Sequence, residues 1–83
     1  MEYKETKHAR RVISRRKISR SWLKQVLLEP ELVHPDEEDP DLEHRLAKIK
    51  EFGNRVLRVI VNTTVKPNKI ITAYFDRTMK GKL

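Results

Sequence analysis

RVLRVIVNTTV, residues 55–65, and KIITAYFD, residues 69–76, stand either side of Lys66-Pro67-Asn68. Both runs are rich in β-branched and aromatic side chains, which suit a pleated, half-buried surface. Proline and asparagine between them suit a turn. The pair reads as an antiparallel hairpin. Just upstream, HRLAKIKEF, residues 44–52, ends at Gly53-Asn54, a two-residue hairpin signal. Strands at about 44–52, 55–65 and 69–76 therefore make one antiparallel sheet.

With two-residue turns, Phe52 lies opposite Arg55 and Val61 opposite Tyr74, and opposed residues point the same way. One face then gathers Ala47, Ile49, Val56, Ile60, Ile71, Ala73 and Phe75. The other gathers His44, Leu46, Lys48, Lys50, Leu57, Val59, Val61, Ile70, Thr72, Tyr74 and Asp76. A bulge or a longer loop exchanges the faces of one strand.

Ahead of the sheet, Ala9, Val12 and Ile13 share one side of a helix over about 5–17. Ser19 is a good N-cap for a second helix, over about 19–29, whose apolar stripe is Trp22, Leu23, Val26 and Leu27. Pro30 ends it, because the residue before proline avoids the helical region. Leu32-Val33-His34 suits a short edge strand, and 34–43 reads as an exposed acidic loop. The fold class is α+β in one domain, 1–83, with two N-terminal helices packed on one face of a three- to four-stranded antiparallel sheet. The helices should bury the first of the two faces.

Charge is distributed in blocks. Residues 1–28 carry a net +7, 29–43 a net −8 without a single Lys or Arg, and 44–83 a net +8. A small protein that concentrates cations this way suits a polyanion, and nucleic acid is the commonest one. With no cysteine, disulfides and thiolate metal sites are excluded. No apolar run approaches the roughly 20 residues of a membrane span, and the N-terminus lacks the apolar core of a signal peptide. A cytoplasmic location without membrane attachment is expected. His8, His34 and His44 have no ligand-like spacing, and DEEDPD, 36–41, lacks the glycine and terminal glutamate of a calcium loop. Neither a metal nor a cofactor is expected.

Several residue groups are candidates for chemistry. His8, Arg11 and Arg15 form a stripe beside the apolar side of the first helix, where guanidinium groups can track phosphates. A solvated helix face is the plain alternative. Arg16 falls among the apolar residues, which suits an ion pair with an acid of the 36–43 loop. Lys48 and Lys50 are further RNA-binding candidates on the open face. There His44, Lys48, Tyr74 and Asp76 combine an imidazole that can take a ribose 2′-hydroxyl proton, a cation for the scissile phosphate, and a phenol that can stack or donate. An exposed sheet face whose lysines block edge aggregation is the alternative.

His8-Ala9, Arg16-Lys17-Ile18-Ser19, Trp22, Val26 and Glu29-Pro30-Glu31-Leu32-Val33 resemble the opening of the bacterial domain-of-unknown-function family 4258, with Lys17 where that family usually has glycine. The stretch Arg45–Gly53, then Leu57-Arg58-Val59-Ile60-Val61 and Ile70-Ile71-Thr72-Ala73-Tyr74-Phe75-Asp76-Arg77, is similar to its closing strands. That family in turn resembles the RelE and BrnT toxin families, whose members cleave RNA without a metal and often pair with an antitoxin. The resemblance implies a RelE-like toxin-type endoribonuclease, RNA as partner, and a cognate antitoxin protein. It points to His8, Arg16, Arg45, Asp76 and Arg77, beside the His44 and Tyr74 read from the open face. A non-catalytic nucleic-acid- or protein-binding module is the alternative function, and a small subunit of a larger assembly a third.

Overall fold

The computed structural model describes residues 3–83. Strand β1 (Tyr3–Glu5) is followed by helices α1 (Lys7–Arg15) and α2 (Arg20–Leu28), then β2 (Leu32–Pro35), β3 (Leu42–Ile49), β4 (Arg55–Asn62) and β5 (Asn68–Phe75). The sheet order is β1-β5-β4-β3-β2, with β1 parallel to β5 and every other pair antiparallel. The α+β class is as the sequence indicates, but the sheet has five strands and is mixed. β1 is too short for any periodicity to announce it.

Both helices begin where their caps dictate. The Thr6 hydroxyl accepts from the Ala9 amide at 3.0 Å, and the Ser19 hydroxyl accepts from the Ser21 amide at 3.2 Å. α1 ends in a Schellman motif: Ile18 N–H donates to the Ile13 carbonyl and Lys17 N–H to that of Ser14. Lys17 sits at φ 54°, the left-handed conformation that glycine adopts most cheaply. Both helices are shorter than their apolar stripes suggested. They pack on one sheet face, α1 against β5 and α2 against β3 and β4. Val26, Leu57, Val59 and Ala73 lie at the centre of the resulting core, all fully buried.

The hairpin register departs from expectation. β3 stops at Ile49, Lys50–Phe52 form a 3₁₀ turn, and Gly53 and Asn54 both take positive φ. Ile49, not Phe52, is paired with Arg55. The three-residue shift is odd, so β4 presents its other side. Leu57, Val59 and Val61 face the helices, while Val56, Arg58 and Ile60 face away. The reason is energetic: this parity buries three aliphatic chains at roughly 1.5–3 kcal/mol each, whereas the other would put the Arg58 cation under the helices. β3 keeps its expected parity. In β5 a bulge opposite Ile60 and Val61 brings Ile70 rather than Ile71 into the core.

The C-terminal segment is tied back to the sheet. After β5 the Asp76 amide donates to the Val56 carbonyl, Arg77–Met79 form a 3₁₀ turn, and Lys48 Nζ donates to the Leu83 carbonyl at 3.1 Å. This segment shelters the second face, where Leu46 and Val56 are also buried. The acidic loop is ordered by its own carboxylates: Asp36 accepts from the amides of Glu38 and Asp39, and Asp39 from that of Asp41. Among the described residues no helix is long and apolar enough to cross a membrane.

Candidate nucleic-acid interface

Where β4 begins and β5 ends, a cleft of about 640 Å³ wraps the end of the sheet. Arg16, Arg55, Arg77 and Lys80 line it, with Tyr74 and Asp76. Arg16 is the C-cap of α1. Its guanidinium donates to the Ala73 carbonyl at 2.8 Å, so it caps the outer edge of β5 and makes no ion pair with the acidic loop. Arg55 opens β4 and stacks on Phe52, its guanidinium carbon 4.6 Å from the ring centroid. Arg77 and Lys80 are carried by the C-terminal turn. Tyr74 stands opposite Arg58 on the second face, and its hydroxyl has no hydrogen-bond partner among the described residues.

Asp76, the acid in this cleft, is already committed. Its Oδ1 accepts from the Thr78 hydroxyl and amide at 2.6 and 3.0 Å, and its Oδ2 accepts from Arg58 at 2.9 and 2.8 Å. The Thr78 hydroxyl, with Arg58 behind it, holds this carboxyl below the usual carboxylate range against a smaller opposing effect of burial. None of the four cleft cations has a carboxylate partner among the described residues. Four like charges around one cavity repel one another, and a bound anion relieves that repulsion.

On the same face lies a second constellation. The His34 and His44 rings stack at 4.9 Å and 22°. Arg58 Nη1 lies 3.1 Å from His34 Nε2 and 2.7 Å from His44 Nδ1. A guanidinium only donates, so both ring nitrogens accept. His44 therefore carries its proton on Nε2 and donates to Asp36 at 2.6 Å, while His34 Nδ1–H donates to the Pro35 carbonyl at 3.0 Å. The His44 contact, helped by the Asp39 and Glu38 amides, holds the Asp36 carboxyl at about 2. The ring lone pairs are thus occupied by Arg58. Asp36, Glu37 and Glu38 rim the adjoining cavity. A polyanion meets three carboxylates there, and no imidazole is available as a base while Arg58 stays in place.

The remaining candidates are dispersed. His8, Arg11 and Arg15 are exposed on α1 and line neither cavity. Arg45 faces the helices and donates to the Leu27 carbonyl, the Tyr3 hydroxyl and Glu43. Those three bonds close the core edge between β1, α2 and β3. Lys48 is engaged by the C-terminus, and Lys50 is exposed in the 3₁₀ turn. His44 and Asp76 are brought together, as expected of the open face, but through Arg58. Arg16, Tyr74 and Arg77 converge in the cationic cleft. Sequence reading missed Arg55, Arg58 and Lys80 as site residues. Arg58 had a signal: of the two parities of β4, only one is free of charge along its centre. Among the described residues no group of His, Cys, Asp and Glu could hold a metal ion.

A family model described as Domain of unknown function (DUF4258) matches residues 6–75. The chain belongs to that family. The DUF4258 match begins at Thr6, the cap of α1, and ends with β5, so Arg16, Arg55 and Tyr74 lie inside it and Asp76, Arg77 and Lys80 beyond it. No curated protein and no solved structure matches the chain.

Proposed function

We propose that this DUF4258 protein is a metal-independent endoribonuclease of the toxin type, with the cationic cleft as its site. The observation that carries the reading is the convergence of Arg16, Arg55, Arg77 and Lys80, none with a carboxylate partner among the described residues, on a cleft that also holds the free Tyr74 hydroxyl. The resemblance to the RelE and BrnT families read from the sequence is what suggests this chemistry. In the cleavage step the ribose 2′-oxygen bonds to phosphorus as the bond from phosphorus to the 5′-oxygen breaks. The 2′-hydroxyl proton leaves to water, and Tyr74 supplies a proton to the departing oxygen. The cations stabilise the extra charge on the pentavalent phosphorus, an effect worth roughly 100-fold in rate for one well-placed donor. Such an enzyme works in the cytoplasm, opposed by an antitoxin that covers the cleft.

A second reading, binding without chemistry, is favoured by one observation: no imidazole lines the cationic cleft, and both stacked imidazoles are held by Arg58. Total RNA incubated with the purified protein in EDTA separates the two. New 2′,3′-cyclic-phosphate ends, lost in Tyr74→Phe and Arg77→Ala, support cleavage. Intact RNA bound with a salt slope near −3, as expected for about four phosphate contacts on a single strand, supports the binding module. RNA neither cut nor bound eliminates both. Toxicity on induced expression, relieved by co-expressing a small neighbouring gene, tests the antitoxin.

A further inference from the structure

Beside the cationic cleft stands an aromatic cluster, and one of its rings, Phe75, lines the cleft. Trp22 of α2, Phe52 of the 3₁₀ turn and Phe75 of β5 form a triangle with ring centroids 5.1, 4.9 and 5.9 Å apart. Trp22 and Phe75 are half-buried against the core, but Phe52 is 37% exposed. The wide turn leaves it there: the chain leaves β3 at Ile49, and Gly53 and Asn54 bring it back through two positive-φ positions. Arg55 sits over the Phe52 ring and at the same time lines the cleft, as does Phe75. Its guanidinium is therefore a cationic plane carried on an aromatic ring at the lip of a positively charged cavity with room for more than one phosphate. Lys80 and Arg77, by contrast, present charge without such a support.

A stacked guanidinium offers an unpaired nucleobase a flat partner, and an Arg carried on an aromatic ring is pre-organised for it. A duplex cannot use such a surface, because its base faces are already occupied by their neighbours. We infer that Arg55 on Phe52 is a base-stacking platform, so that the polyanion entering the cleft is single-stranded RNA with one base laid on Arg55 and the adjoining phosphate held by the other cations. The inference rests on reading the cleft as an RNA site and adds to it the strandedness of the substrate and a distinct role for Arg55.

The test uses binding of the full chain to a short labelled oligoribonucleotide, to the same backbone with abasic sugars, and to the corresponding duplex, with the fluorescence of Trp22, the lone tryptophan, as a second readout. The native protein should bind the ordinary single strand roughly 5- to 100-fold more tightly than the abasic one, the range carried by stacking of one base, and should quench Trp22 only with the former. Arg55→Lys keeps the charge but loses the plane. It should narrow that gap several-fold with the salt slope unchanged, and Phe52→Ala should do the same. Equal affinity of the native protein for both strands, or a gap that survives in Arg55→Lys, overturns the platform while leaving the cationic cleft as a binding site. Binding of neither strand removes the cleft reading and the platform with it. The comparison on the native protein needs no variant to fold.

Discussion

Replacing Arg58 with methionine should be the most damaging single change on the second face. Arg58 and Asp76 are each 12% exposed in their side chains, and the guanidinium also serves both imidazoles. Removing it leaves a nearly buried carboxylate with only its Thr78 contacts and two ring nitrogens without a donor. Breaking a fully buried pair costs about 3–5 kcal/mol, and the partial exposure of this one together with the surviving Thr78 bonds places it at the low end, about 3. A domain of this size has about 4–12 kcal/mol in all, and its melting temperature should fall by roughly 12–24 °C. The double variant Arg58→Met/Asp76→Leu should recover much of that loss, because no unpaired charge remains. Thermal and urea melts of the native protein, both single variants and the double would measure the coupling. An Arg58→Met protein within about 0.5 kcal/mol of native, or a double variant whose loss equals the sum of the singles, would refute the view that this pair locks β4 to the end of β5.

Acid should destabilise the protein in a defined window. The Asp36 carboxyl is held at about 2, and that of Asp76 below its usual value, by contacts to their ionised forms. The stability they contribute is complete above the unfolded value near 4 and is lost as pH falls through the folded values. Melts should therefore weaken between about pH 4 and pH 2, and Asp36→Asn should flatten that slope. Lys17→Gly should raise stability by about 0.5–1 kcal/mol, because a left-handed lysine costs more than glycine loses in chain entropy. An unchanged or lower melting temperature would count against the Schellman geometry. Arg77→Ala and Lys80→Ala should each reduce the salt slope of RNA binding by about 0.7 without moving the melting temperature, since neither side chain has a partner to lose among the described residues. An unchanged slope would place the bound strand elsewhere.

The helices were legible because Val12, Ile13, Val26 and Leu27 repeat at helical spacing and Ser19 marks a start. Strand positions were legible from composition, but their register was not. Gly53-Asn54 has the form of a two-residue turn, and nothing local reports that Lys50–Phe52 coil as well. This coil shifts the register by an odd number of residues, which turns Arg58 outward to meet His44. β1 escaped because its partner lies some 65 residues away in sequence. For the cleft, family likeness selected Arg16 and Arg77, and the open-face pattern selected Tyr74, each individually. Their meeting depends on α1 ending beside β5, a tertiary fact with no local signal.

The first strand of the chain pairs side by side with the last, and Arg16 is anchored on the carbonyl of Ala73. A ribosome making this protein therefore extrudes α1 and α2 long before their floor exists, and such distant pairings slow folding. Arg16 and Arg77 cannot share a cavity until β5 is out of the exit tunnel. Any activity in the cationic cleft is thus withheld from the nascent chain until β5 has emerged to complete the cavity.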